Sequence, residues 1–497
     1  MKIEFRRLSP YLIIGIAIIF HVMTIRQGHP WGGDFSLYIA HARNIVQGTP
    51  YAETGYIYNP QRSQLSPETY PPVFPLLLVP IYKVFGLNLY AIRVYLLLLF
   101  MVFLYIFYQY SKDRLSFRSS LMGALALVAF SPWVRPIKDE VYSEIPFLLF
   151  LYAALMLLDR LNKIENWDYR QWFHPVFAGL TIYLAYGTRS VGLLLIPALI
   201  GKDLINFRTI RPSSIIVIMV FTAGCLMQNT FIHSDKTYVD TLMLLDSQII
   251  LDNAYYYLLM IRYSWVNDIG ILSQISIIGI AMTIIAVGFG WMVRKRCSSA
   301  ECFFLIYIAV LILWPTHGNR FFIPIIPLTI QYFFIGIEKL PLHLPPFYKP
   351  AIPLGLMIVV ILFYVGRYSV GDFSKYSYGV DKKESREMFD FIRNHTPQNS
   401  ITIFRKPRVL ALYTDRKSSV YHATRNPEEL WTYFEKIGAT HLVVKIHGHN
   451  FVEERHYLET VKYYKDRLKL IFQNKSFEVY ALKSRGISSH PKLEHLR

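Results

Sequence analysis

Apolar residues dominate roughly the first three quarters of the chain in long runs, and polar residues fall between them in short charged clusters. The runs lie at 11–25, 87–108, 119–134, 143–158, 173–185, 190–204, 214–231, 270–293, 300–314, 321–337 and 351–365. With its ends, each approaches the roughly 20 residues a helix needs to cross a bilayer, which predicts about eleven spanning helices. The first run follows Lys2, Arg6 and Arg7 as in a signal peptide, but no small-residue cleavage site comes after it. It therefore reads as a retained first helix. From about residue 368 the runs shorten and the period changes. Helical patterns at 385–394, 407–413 and 427–437 then alternate with strand patterns at 400–404, 440–445, 468–472 and 477–482, as in a small α/β sandwich. The expected architecture is a polytopic α-helical membrane domain over 1–367 followed by an α/β domain over 368–497.

Two stretches between the first two runs break the spanning pattern. In residues 34–48, Phe35, Tyr38, Ile39, Ala42, Ile45 and Val46 share one helical face while Arg43, Asn44 and Gln47 share the other, and Gly48 supplies a stop. That is the pattern of a helix lying in the membrane interface. In residues 70–80, Pro71, Pro72, Pro75 and Pro80 interrupt an apolar stretch, so a straight spanning helix is excluded and a second interfacial or half-inserted helix is expected.

Composition agrees with a membrane solvent: 53% of the 497 residues are hydrophobic and 16% aromatic. The net charge of +18 would suit nucleic acid, but the bases are spread over helix ends and the C-terminal domain without a basic arm, so nucleic acid is excluded as a partner. When the helices are counted alternately, Lys112, Arg114, Arg118, Arg160, Lys163, Arg170, Lys202, Arg208, Arg211, Arg294, Lys295, Arg296, Lys339 and Lys349 fall on the same side as the N-terminus. The positive-inside rule makes that side cytoplasmic and places the C-terminal domain outside, in the periplasm or its equivalent. Cys225, Cys297 and Cys302 lie in helices or a cytoplasmic loop, so no disulfide is expected in the external regions.

The charged residues at the outer helix ends are the candidate chemistry, because charge beside hydrocarbon costs a few kcal/mol unless partnered or used. Asp34 heads the 34–48 helix, where it could simply cap the free amides. Lys138, Asp139, Glu140 and Glu144 crowd the mouth of two helices. Glu140 and Glu144, four residues apart, could face one cavity as adjacent turns of a helix, or the cluster could be an internal salt-bridge network. Arg189 sits between two helices with almost no loop, and Arg320 follows Thr316, His317, Gly318 and Asn319 between two others. Arginines can grip a phosphate leaving group while a carboxylate takes a proton from an incoming nucleophile, so the set suits transfer from an anionic donor. His317 stands alone, without the neighbours of a metal site. The C-terminal domain shows no Gly-rich phosphate loop, paired cysteines or nucleophile elbow, which suits support or acceptor recognition better than catalysis.

Five stretches in order resemble the bacterial GT-C membrane glycosyltransferases. They are Gly33-Asp34-Phe35-Ser36-Leu37-Tyr38, Tyr70-Pro71-Pro72-Val73-Phe74-Pro75, Ser143-Glu144-Ile145-Pro146, Thr188-Arg189-Ser190-Val191-Gly192, and Asn319-Arg320-Phe321-Phe322-Ile323-Pro324. The nearest type is the protein mannosyltransferase-like group, glycosyltransferase family 39, with the aminoarabinose transferases of lipid A. The resemblance spans most of residues 1–367 and implies an inverting transferase that uses a polyprenyl-phosphate sugar and acts on a lipid, glycan or protein acceptor at the cell (inner) membrane. It implies Asp34 as base or acceptor-positioning group. It places Arg189 and Arg320, with Lys138 and Arg43, toward the donor phosphate, and Asp139, Glu140, Glu144, Tyr70 and His317 toward sugar or acceptor. Two departures stand out: Asp34 is followed by Phe35 where many relatives have a second acid, and Thr69 and Tyr70 stand before Pro71 where the aminoarabinose type has an acid and a base. Neither a metal site nor aminoarabinose follows from the motifs, and no cofactor is assigned. A lipid-linked-sugar flippase or transporter is the alternative, although the charges cluster at one face and no inverted repeats are evident. Acceptor choice would fall to the loops at 59–69 and 233–268 and to the last domain.

Overall fold

The computed structural model describes residues 2–65, 67–162, 172–232, 246–265, 271–341, 345, 348–447 and 451–483. Lys163, Arg170 and positions 233–245 and 266–268 of the expected loop lie outside the described residues, and the rest of that loop carries the helix Ser247–Trp265. The chain divides into two compact units, Met1–Gln27 with Pro71–Lys375, and Gly28–Tyr70 with Tyr376–Arg497. The first is helical and the second mixed. The division differs from one cut near residue 367, because Gly28–Tyr70 packs with the C-terminal segment.

In the helical unit every apolar run of the sequence falls on a helix. Six described stretches are long and apolar enough to cross a membrane: Leu89–Lys112, Ser190–Phe207, Pro212–Thr230, Ile275–Lys295, Asn319–Lys339 and Ala351–Ser369. Shorter apolar helices accompany them, including Leu8–Met23, Arg118–Ala129 and Ser299–Leu313. Leu354, Ile358, Val359, Leu362 and Val365 form an outward stripe on Ala351–Ser369. Such a stripe would be a liability in water and is ordinary in lipid, so the chain is a polytopic helical membrane protein. Helices Ile271–Arg296 and Ile326–Lys339 cross at Gly288 and Gly336, where an added Cβ would come within 2.0 Å of the carbonyl oxygens of Tyr332 and Ile284 respectively. Backbone contact of this kind needs small residues at the crossing. The proline-rich stretch forms the short helix Val73–Phe85. Pro75 is tolerated in its first turn, where no amide bond is lost.

The mixed unit is built on a five-stranded sheet of β1 (Ile401–Ile403), β2 (Lys417–Ser419), β3 (His441–Lys445), β4 (Leu468–Gln473) and β5 (Phe477–Leu482), ordered β2-β1-β3-β5-β4. Strand β1 pairs in parallel with β2 and β3, while β5 runs antiparallel to β3 and β4. Residues 55–57 add to the open edge of β2, with Ser418 N–H donating to Gly55 O at 2.9 Å and Ile57 N–H to Ser418 O at 2.8 Å. Those bonds satisfy an edge that would otherwise be unpaired, and tie the N-terminal segment to the sheet. Leu430, Phe434, Leu442, Tyr457 and Leu468 belong to the hydrophobic core.

Helix Asp34–Gln47 is buried on nearly every side, with His41 and Asn44 enclosed as fully as Phe35 and Ile39. An interfacial helix with a solvated polar face was the expectation. Its buried polar side chains instead hold the loop that follows: Asn44 Nδ2 donates to the carbonyls of Pro50 and Glu53, both at 3.0 Å. Gly48 ends the helix in the left-handed region at φ 68°, as its position in the sequence predicts.

Candidate active site

Three helix ends in the helical unit converge on one carboxylate. Glu144 is the first residue of helix Glu144–Asn162 and is fully buried. Its charge lies at the positive end of its own helix dipole. Arg189 leaves helix Phe173–Thr188 in an extended conformation and reaches Glu144 Oε1 with Nη1 at 2.6 Å and Ser143 Oγ at 3.2 Å. Arg320, in the short helix Asn319–Phe322, donates from Nε to Oε1 at 2.6 Å and from Nη2 to Oε2 at 3.1 Å. This is a two-point grip that a lysine could not reproduce. The Arg320 guanidinium also lies 3.5 Å from the Tyr142 ring centroid.

The arginine side chains keep 18% and 28% of their surface exposed, while Glu144 keeps none. Each cation is thus neutralised by a carboxylate that is itself enclosed, while part of its own side chain stays exposed. Glu140 is brought in through Tyr142, whose hydroxyl donates to it. The two acids are not successive turns of one helix, since Glu140 is extended after Val134–Asp139 and Glu144 begins the next helix.

Other sequence candidates in this unit are engaged elsewhere. Lys138 Nζ bonds Asp139 Oδ1 at 2.7 Å and Thr24 O at 2.5 Å, and both partners of this pair are buried. His317 Nδ1 lies 3.1 Å from Asn253 Oδ1, with its ring against Tyr256. Among the described residues no three His, Cys, Asp or Glu side chains gather as a metal would require.

Asp34 belongs to the mixed unit. Tyr70 Oη donates to its Oδ1 at 3.0 Å, and Arg408 Nη1 reaches the same oxygen at 3.3 Å and Tyr70 Oη at 2.9 Å. Burial opposes the Arg408 charge, but Tyr70 and Asp34 outweigh it and raise its pKa above the ordinary arginine value. A Cβ on Gly33 would sit 2.3 Å from Arg408 Nη2, so a side chain there would displace the arginine. Gly33, with no side-chain bond to the helix, occupies the cap position, and Asp34 is the first helical residue.

Tyr70 is itself fixed. Its ring stacks on Tyr38 with centroids 4.6 Å apart, Tyr51 Oη donates to its carbonyl at 2.7 Å, and its N–H donates to His41 Nε2 at 3.3 Å. His41 Nδ1 in turn bonds Tyr51 O at 2.8 Å. One ring nitrogen must donate and the other accept, which requires neutral imidazole; burial lowers the His41 pKa to about 4 despite the Tyr51 carbonyl. Arg43 pairs with Asp415 at 2.6 Å.

The sequence expectations put Glu144 and Tyr70 with the sugar or acceptor, apart from the phosphate-facing arginines and from Asp34; the structure pairs Glu144 with Arg189 and Arg320 and Tyr70 with Asp34, and adds Arg408, which was not among the candidates. It stands in the basic run Arg405-Lys406-Pro407-Arg408, which leads into the helical pattern at 407–413, and nothing local sets it apart from the other bases there.

No protein-family model and no curated protein matches the chain. Solved structures do. The oligosaccharyltransferase AglB from Archaeoglobus fulgidus, in complex with an inhibitory peptide and a dolichol-phosphate, is similar with a TM-score of 0.58 and 13% identity, covering 89% of this chain and 70% of that one. ArnT from Cupriavidus metallidurans bound to undecaprenyl phosphate gives 0.55 and 12%, covering 96% and 98%. The arabinofuranosyltransferase AftD from Mycobacteria gives 0.59 and 11%, covering 96% of this chain and 40% of that one. At such identities the likeness is one of fold, and it extends over both units. This chain has the fold of the GT-C glycosyltransferases.

Proposed function

We propose that the protein is a membrane glycosyltransferase that moves a sugar from a polyprenyl-phosphate donor to a lipid, glycan or protein acceptor on the outer face of the membrane, with inversion. The observation that carries this reading is the pair of partly exposed arginines clamped by buried Glu144. A preorganised double cation stabilises a phosphate as it leaves, and it costs no reorganisation at the moment of reaction. The fold adds support, because ArnT and AglB have been solved with undecaprenyl phosphate and dolichol-phosphate. The shorter apolar helices would complete about eleven crossings. The basic residues of the alternate loops would keep the N-terminus cytoplasmic and the mixed unit outside.

In this reading Arg189 and Arg320 hold the donor phosphate, and Glu144 is a positioning residue that acts through them. Asp34 accepts the proton of the incoming hydroxyl or amine, and Tyr70 and Arg408 fix its carboxylate. Inversion follows if the acceptor attacks in a single step, with the new glycosidic bond forming as the bond to phosphate oxygen breaks and that oxygen keeps the electron pair.

The test is a membrane assay with radiolabelled polyprenyl-phosphate sugars and envelope acceptor lipids. Asp34→Asn should abolish transfer at normal expression, and unchanged turnover would reject the role of Asp34. Loss of no glycan or glycolipid from the envelope of a deletion strain would reject the transferase reading as a whole.

A further inference from the structure

A cavity of about 310 Å³ lies wholly within the mixed unit. Its volume is near the lower end for small-molecule sites. Trp31, Tyr378, Phe404 and Phe477 contribute aromatic surface, and Arg405, Lys406 and Glu454 contribute charge. Two polar groups on its wall are incompletely satisfied. Glu454 is 4% exposed; its Oε1 accepts from Arg405 Nη1 at 2.5 Å, but its Oε2 has no hydrogen-bond partner among the described residues. Lys406 is half-buried, and its ammonium takes part in no hydrogen bond or ion pair among the described residues. Burial, then Arg405 and Arg408, push its pKa down to about 8, against the pull of Asp34. Asp34 acts on it without direct contact, so a closer anion would stabilise the charged form.

The wall thus asks for three things from one ligand: an anion for Lys406 beside Arg405, a hydroxyl donor for Glu454 Oε2, and an apolar face for the aromatic rings. A carboxylated pyranose carries all three, since its ring C–H face packs on aromatics and its hydroxyls donate. We infer that this cavity binds an acidic sugar of the hexuronate type, with the sugar carboxylate on Lys406 and Arg405 and a ring hydroxyl on Glu454.

The same two chain segments build this cavity and the Asp34 site. Trp31 and Gly32 line the cavity while Gly33 and Asp34 turn to Arg408, and Arg405 and Lys406 line it from the second segment. The bound sugar is therefore assigned to the acceptor, an assignment that rests on the transferase reading, whereas binding itself does not.

The test uses the full-length protein in nanodiscs, with saturation-transfer NMR and calorimetry for methyl glucuronoside against methyl glucoside. The glucuronoside should bind at least tenfold more tightly. Lys406→Met should erase that preference, and Glu454→Gln should weaken both sugars while melting temperature is monitored. Equal affinity for the two sugars in the wild-type protein, no saturable binding of either, or stronger binding of a C-terminal dipeptide carboxylate would overturn the proposal without recourse to any variant. Transfer from a polyprenyl-phosphate sugar without glucuronoside binding sinks the cavity assignment alone. Binding without transfer to any uronate-bearing acceptor sinks the acceptor assignment and leaves the site.

Discussion

Helix Glu144–Asn162 carries an ion cluster at each end, and the two are built differently. At its start Glu144 holds Arg189 and Arg320, whose side chains are 18% and 28% exposed. Toward its end, about 22 Å away by helix rise, Asp159 joins Arg114 and Glu301, with Arg114 4% exposed and Glu301 fully enclosed. Glu301 also accepts from Tyr332 Oη at 2.9 Å and closes a capping box with Ser298. Both clusters satisfy the rule that buried charge must be paired. Only the first presents its cations to a surface. Pairing alone therefore does not mark a site; the proposed donor role rests on the partial exposure of Arg189 and Arg320.

The largest effect is expected from breaking the closed cluster. Glu301→Ala leaves Arg114 buried without its main partner and should destabilise the protein by about 3–5 kcal/mol, while turnover per folded molecule stays at the wild-type level. Unfolding in detergent and specific activity together check this; lost turnover at full stability would erase the distinction between the clusters.

A neutral buried group sharpens the contrast. His41 has a folded pKa of about 4 against an ordinary 6.5, so the unfolded chain binds more protons between those values and stability falls as pH drops through that window. The loss should reach about 3 kcal/mol at most. It is read as the difference between wild type and His41→Gln in unfolding followed from pH 7 to pH 4. A parallel pair of curves would contradict it.

Next in size is Arg320→Lys, which keeps the charge at the open cluster but loses the two-point grip on Glu144. Transfer should fall about 100-fold, equivalent to about 2.7 kcal/mol in the barrier, and melting temperature should move little. Near-normal turnover would mean that the open face has no part in the chemistry.

The smallest effect belongs to an exposed pair. Arg43→Ala removes the bond to Asp415, whose side chain is 51% exposed, and should cost under about 1 kcal/mol with transfer intact. A large loss of transfer would return Arg43 to the donor site.

The sheet shows where legibility ended. Strands β1, β3, β4 and β5 were readable because short runs rich in β-branched, aromatic and other apolar residues mark them. Strand β2 is only Lys417-Ser418-Ser419, and it is a strand because β1 on one side and residues 55–57 on the other supply its bonds. Helix Val452–Tyr463 was also missed. Its buried face rests on Glu454, Tyr457, Thr460 and Val461, too polar a set to stand out as periodic. At the site, Glu144, Arg189 and Arg320 were legible because charge at an apolar helix end is conspicuous. Arg408 was not, since in a basic run nothing local distinguishes the one arginine that turns inward.

By itself the sequence determined the solvent, the long apolar helices and the list of ionised groups, because hydrophobic length and helix-breaking prolines act within a few turns of chain. Tertiary structure alone decided which charges meet: that Glu144 stands between two arginines from distant helices, that Arg408 reaches Asp34 from 374 residues away, and that Lys138 closes on its own neighbour. The physical reason is that Coulombic and hydrogen-bond partners are chosen by a few ångströms in space, a distance that has no counterpart in spacing along the chain.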